Sequence, residues 1–88
     1  MEKRIASVLI VIRNLNSVPK VNQILSAHGS AIRGRLGLPM PERDISVISL
    51  VLVATTDELG SLTGQLGRIQ GVEVKSVMSK LSGNEKEE

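Results

Sequence analysis

Eighty-eight residues make one domain with a modest core and leave no room for a second. The chain has no cysteine, which excludes disulfides and thiolate metal sites, and no Phe, Tyr or Trp, which removes the rings on which single-stranded nucleic acid stacks and leaves Val, Ile, Leu, Met and Ala to build the interior. Eleven basic residues against nine acidic give a net charge of +2, and because residues 80–88 hold −1, residues 1–79 carry +3, too little for a polyelectrolyte-binding surface.

Glu2, Lys3 and Arg4 before "IASVLIVI" resemble the start of a leader. The apolar run is only eight residues, Arg13 and Asn14 follow at once, and no small-residue cleavage site appears, so neither a leader nor a membrane span is expected. The reading is a soluble, cytoplasmic protein. Residues 4–13, "RIASVLIVIR", are rich in β-branched residues and read as a first strand. "NLNS" breaks it. Ser17 is then placed to cap a helix with Pro19 in its first turn, and Val18, Val21, Ile24, Leu25 and His28 share one side of that helix before Gly29 stops it.

Residues 31–38 alternate, with Ile32, Gly34, Leu36 and Leu38 facing one way and Ala31, Arg33, Arg35 and Gly37 the other, as in a strand with one buried face. "PMPERD" is a turn, and "DISVISLVLVAT" a long strand apolar on both faces. Thr55 followed by Glu58 is a capping box that opens a second helix, and Gly71 ends it. "VEVKSVM" is a last strand, with Val72, Val74, Ser76 and Met78 on one face. "KLSGNEKEE", residues 80–88, reads as a disordered charged tail behind a single domain over 1–79.

The order β-α-β-β-α-β is the ferredoxin-like α+β arrangement, a four-stranded antiparallel sheet of order 4-1-3-2 with two helices on one face. The strands expected in the middle, the first and third, are apolar on both faces. Those expected at the edges carry Arg33, Arg35, Glu73 and Lys75. One face of such a sheet has no helices over it, and an exposed apolar patch of that size is unusual in a monomer. A homodimer or a dimer of dimers, packed sheet on sheet, is therefore expected.

The second helix holds a puzzle. Leu59, Leu62, Leu66 and Ile69 form its core stripe, while Gly60, Gly64 and Gly67 fall on another side, each costing a helix about 0.8–1.0 kcal/mol relative to alanine. Either they are tolerated on a solvated face, or they let another helix, a subunit or a small molecule approach the backbone. "LTGQLGRIQGVEVKSV" (62–77), with "RLGLP" (35–39), resembles the small proteins grouped as iron-only hydrogenase system regulators, whose fold is similar to ACT domains and to the C-terminal domain of the nickel-responsive regulator. In element order the resemblance covers most of residues 4–78. It implies a ferredoxin-like subunit that oligomerises and senses a small ligand.

ACT domains place a glycine where the first strand meets the first helix and bind an amino acid there against a partner subunit. This chain has "RNLNS" with no glycine; Asn14, Asn16 and Ser17 offer amide and hydroxyl groups to a polar ligand, and serve equally as turn and cap residues. The nickel regulator uses several histidines and a cysteine. With one His and no Cys, this chain does not support such a site, and no metal or cofactor is expected. His28, on the apolar stripe at a helix end, reads as structural.

Arg33, Arg35 and Arg43 form the only basic cluster, read as edge-strand protection or as an anion or partner contact. No helix-turn-helix or ribbon-helix-helix segment fits in the remaining residues, and no catalytic grouping is evident from spacing, so neither direct DNA reading nor enzymatic activity is expected. Two functions from different classes remain. One is a ligand-responsive regulator with a small polar molecule held near Asn14, Asn16 and Ser17 or along Gly60, Gly64 and Gly67, acting through a protein partner. The other is a passive oligomerisation scaffold.

Overall fold

β1 (Arg4–Ile12) and β3 (Ile45–Ala54) form the centre of a four-stranded antiparallel sheet, flanked by β2 (Ile32–Met40) beside β3 and β4 (Val72–Ser82) beside β1, in the computed structural model, which describes residues 2–82. The sheet order β2-β3-β1-β4 is the ferredoxin-like one expected from the element order. Two helices, α1 (Val18–Ala27) and α2 (Thr56–Gly67), lie on one face. In the centre Val8 pairs with Leu50 and Ile10 with Ile48, and directly opposed residues point to the same side. Val21 and Leu25 from α1 and Leu62 and Leu66 from α2 cover these residues, and all are buried. The aliphatic stripes of the two helices are thus the ones that their spacing marks out.

Local chemistry fixes the helix ends. The Thr55 hydroxyl accepts from the Glu58 N–H (3.0 Å) and the Glu58 carboxylate accepts from the Thr55 N–H (2.8 Å), a complete capping box. At α1 the expected cap is different. Ser17 stands in αR conformation and makes no side-chain cap; Asn14 instead caps a 3-10 turn over Leu15–Ser17 that leads into the helix, its Oδ1 accepting from the Asn16 N–H at 3.1 Å. The extra turn is possible because Asn14 is extended and its short side chain reaches two residues on. It releases the Ser17 hydroxyl for another use.

β2 departs from the simple alternation. Ile32 lies opposite Leu52 but Gly34 lies opposite Val51, so Arg33 is an extra residue, a β-bulge in an edge strand. Beyond it every side chain changes face. Arg35 turns to the helix side, where it donates to Asn22 Oδ1 at 2.6 Å, while Leu36 and Leu38 turn to the open face instead of sharing a buried side with Ile32. β2 also runs through Pro39, tolerated because an edge strand has an unpaired side. The following turn is a 3-10 turn over Pro41–Arg43 closed by Asp44 in αL conformation (φ 56°).

At the other edge β4 continues to Ser82, so residues 80–82 belong to the sheet rather than to a tail. Met78 pairs with Ala6 and Ser82 with Arg4, leaving a bulge between. The rest of the expected tail, residues 83–88, lies outside the described residues.

Candidate functional site

The loop from β1 into α1 is bound to the turn that leaves α2. The Arg13 N–H donates to the Gly71 carbonyl (2.7 Å) and the Ser17 hydroxyl donates to the Gln70 carbonyl (3.1 Å). Gly71 has φ +79°, and a β-carbon there would lie 2.7 Å from Asn14 Cβ. The structure thus brings Asn14, Asn16 and Ser17 together at one end of the helix layer. Asn14 caps and Ser17 tethers; the amide side chain of Asn16 makes no hydrogen bond among the described residues.

The three helix glycines lie away from this corner's tie. A β-carbon on Gly60 or Gly67 would meet nothing within 4 Å, and on Gly64 only the Arg68 guanidinium at 3.8 Å. Among the described residues no backbone or side chain packs closely on the strip. The basic residues do not converge either: Arg33 and Arg35 sit at the start of β2 and Arg43 in the turn past its other end. His28 follows the last residue of α1, and its Nδ1–H donates to the Ile24 carbonyl (2.9 Å), a helix-end contact. Among the described residues no three His, Asp or Glu side chains gather as a metal site.

The open face of the sheet is more apolar than the alternation of β2 implies, because of the bulge. One row across it reads Leu36, Ser49, Leu9, Lys75; the next reads Leu38, Val47, Val11, Glu73; a third reads Gly34, Val51, Ser7, Val77. Leu36 is 64% exposed and Val77 72%. A shallow hollow of about 220 Å³ between Ile5, Ser7, Val51 and Val77 lies beside these projecting side chains. Lys75 and Glu73 supply one charge of each sign at the β4 edge of the rows.

One feature has no counterpart in the expectations from sequence: a cleft of about 570 Å³ between α1 and α2 that has Lys20 and Arg68 in its wall. Neither helix alone signals it. The i, i+3, i+4 spacing of Lys20, Gln23 and Ile24, repeated by Gln65, Arg68 and Ile69 on α2, is the pattern that a facing pair of helices would present.

Solved structures share this architecture. A protein from Thermotoga maritima, TM1266, described as uncharacterized, is 38% identical, with a TM-score of 0.86 over 90% of this chain and 100% of that one. The ACT domain of a GTP pyrophosphokinase from Chlorobium tepidum has a TM-score of 0.72 at 23% identity, covering 85% of this chain and 99% of that domain. The C-terminal domain of the MgtC protein from Mycobacterium tuberculosis has a TM-score of 0.68 at 19% identity, covering 93% and 94%. The last two show the fold alone. No curated protein matches the chain. Among the described residues no helix is long and apolar enough to cross a membrane. Residues 4–76 match the family model described as "TM1266-like: Iron-only hydrogenase system regulator, putative", and with the 38% identity to the Thermotoga protein this places the chain in the TM1266-like family of iron-only hydrogenase system regulators.

Proposed function

We propose that this chain is a non-enzymatic, cytoplasmic regulatory subunit that works as an oligomer of itself, with copies joined through the open face of the sheet and with a small ligand setting its state. The observation that carries the reading is the open face: Ile5, Leu9, Leu36, Leu38, Val51 and Val77 are all exposed on one side of a sheet whose other side has its central strands buried under the helices. Such a surface stands in water at a cost of roughly 25 cal/mol per Å² of apolar area. A second copy is the occupant that suits it. A two-fold interface uses the same patch on both subunits, and this patch holds projecting leucines, a hollow beside them and both signs of charge at one edge. Family membership supports the regulatory role, with control of the process exerted through a protein partner.

The ligand belongs in this reading at the Asn14–Ser17 corner, where two connecting segments meet and Asn16 keeps a free amide. A passive scaffold is the second reading, and one observation favours it: Asn14 and Ser17 already direct their polar atoms to their own chain. Thermal unfolding followed by circular dichroism tests the reading. Self-association makes Tm rise with protein concentration, and a ligand at about 100 times its Kd adds about 2.7 kcal/mol of stability. A Tm independent of concentration, together with no shift from amino acids, nucleotides or metal ions, would leave neither the oligomer nor the sensor standing.

A further inference from the structure

Among the described residues the cleft between the helices carries positive charge and no counter-charge. α1 and α2 follow antiparallel strands and so run antiparallel, which brings Lys20, in the first turn of α1, level with Arg68, just past the last turn of α2. No carboxylate lines the cleft, and neither cation has a hydrogen-bond or ion-pair partner among the described residues. Two cations lining one cleft repel and raise the local positive potential. An acidic group between them would relieve this, and the guanidinium offers it paired donors.

The rest of the lining has a second and a third character. Ile24, Ala27 and Ile69 give an apolar floor, Ile24 and Ile69 being packed against the core beneath. Gln23, Gln65 and Gln70 stand around it with amide groups that both donate and accept. Gln65 gives one N–H to Ser61 Oγ (3.0 Å) and keeps its carbonyl. The volume, about 570 Å³, falls within the range of small-molecule sites, roughly 300–1,000 Å³. The cleft also adjoins the corner described above, since Gln70 lines it and receives the Ser17 hydroxyl with its carbonyl.

We infer that this cleft binds a small organic anion of the make-up of a nucleoside monophosphate: an acidic head on Lys20 and Arg68, an apolar ring face on Ile24, Ala27 and Ile69, and a polar ring edge read by the glutamine amides. The inference rests on the reading of the chain as a ligand-responsive regulator and names the ligand class. A zwitterionic amino acid is disfavoured, because its ammonium group would enter a cleft that already holds two cations and no acid.

Titration of ¹⁵N-labelled full-length protein with AMP tests this, with inorganic phosphate supplying the head alone and adenosine the body alone. AMP is expected to shift amides of residues 20–27 and 65–70 and to bind at least about tenfold more tightly than either fragment. Lys20→Met combined with Arg68→Gln is expected to weaken AMP by about tenfold or more with the circular dichroism spectrum unchanged, while Arg43→Gln binds as the wild type does. AMP shifts that are absent into the millimolar range, that centre on the β2–β3 turn, or that persist in the Lys20/Arg68 variant overturn the site. Binding that leaves sedimentation unaltered upholds the site but counts against a ligand-set oligomer; a wild type that self-associates yet binds no AMP overturns the site and leaves self-association standing.

Discussion

Gly71 and Asn14 are packed so closely that a β-carbon on the glycine would lie 2.7 Å from Asn14 Cβ and 3.2 Å from its backbone nitrogen. The backbone at Gly71 is also left-handed, φ +79°, which costs a side-chain-bearing residue about 1–2 kcal/mol before any clash. The contact joins the entrance of α1 to the exit of α2 and thereby sets the end of the helix layer where Ser17 and Gln70 meet. Gly71→Ala is expected to lower stability by about 2 kcal/mol or more, read as a lower Tm by circular dichroism, since the chain lacks Trp and Tyr. A variant as stable as the wild type would mean that this turn is not held as described.

The glycines inside α2 predict the opposite sign. Gly60 and Gly67 have open space where a β-carbon would go, so within one subunit Gly60→Ala and Gly67→Ala should each stabilise the helix by about 0.8–1.0 kcal/mol. Urea unfolding of the two variants measures this. Destabilisation by either substitution would place another copy or a partner against the strip, and would revive close approach as the reason for the glycines.

Glu58 gives a pH signature. Its hydrogen bond to the Thr55 N–H, aided by the Thr55 hydroxyl and opposed by some desolvation, holds its carboxyl below the ordinary value of 4.5. A carboxyl depressed in the folded state contributes stability above its unfolded pKa and loses that contribution as pH falls through the folded one. Glu58→Gln is therefore expected to be less stable than the wild type at neutral pH, with the difference closing below about pH 4.5. Thr55→Ala, which removes the reciprocal cap, should cost about 1 kcal/mol. Equal stability of Glu58→Gln and the wild type at neutral pH would mean that the Glu58 charge adds nothing to the cap, since a glutamine carbonyl can still accept from the Thr55 N–H.

The bulge at Arg33 makes a register prediction. Deleting Arg33 takes out the extra residue and restores strict alternation with Ile32 opposite Leu52 and Gly34 opposite Val51, so Arg35 stays on the helix side by Asn22 and Leu36 and Leu38 stay on the open face. The variant is therefore expected to fold with the pairing of β2 from Gly34 onward unchanged, read from cross-strand nuclear Overhauser contacts such as Leu36 to Ser49. A deletion variant in which Leu36 and Leu38 leave the open face would mean that Arg33 is not the extra residue.

Much of the fold is legible in the residues because its determinants are local or periodic. Val and Ile on both faces of β1 and β3 mark central strands, the leucine spacing of α2 marks its core stripe, and Thr55 with Glu58 marks its start. What escapes is what depends on one extra residue or on two elements at once. A period of two places Ile32 and Leu36 together, and only Gly34 beside the bulge hints that an edge strand breaks there. Ser17 has the composition of a cap, but Asn14 three residues earlier competes for the same task and opens the chain into a 3-10 turn first. The cleft escapes for a plainer reason: Lys20 and Arg68 lie 48 positions apart, and each alone reads as a solvated charge.

Sedimentation velocity on the wild type and on Leu9→Lys and Leu36→Lys tests the central claim most directly, since both leucines lie in one exposed row of the sheet and away from the core. The wild type is expected to sediment as a dimer or tetramer at micromolar concentration, and each lysine variant to shift toward a folded single chain with its circular dichroism spectrum retained. A wild type that is itself a stable, folded monomer, or lysine variants that keep its full mass, would contradict self-association through the open face.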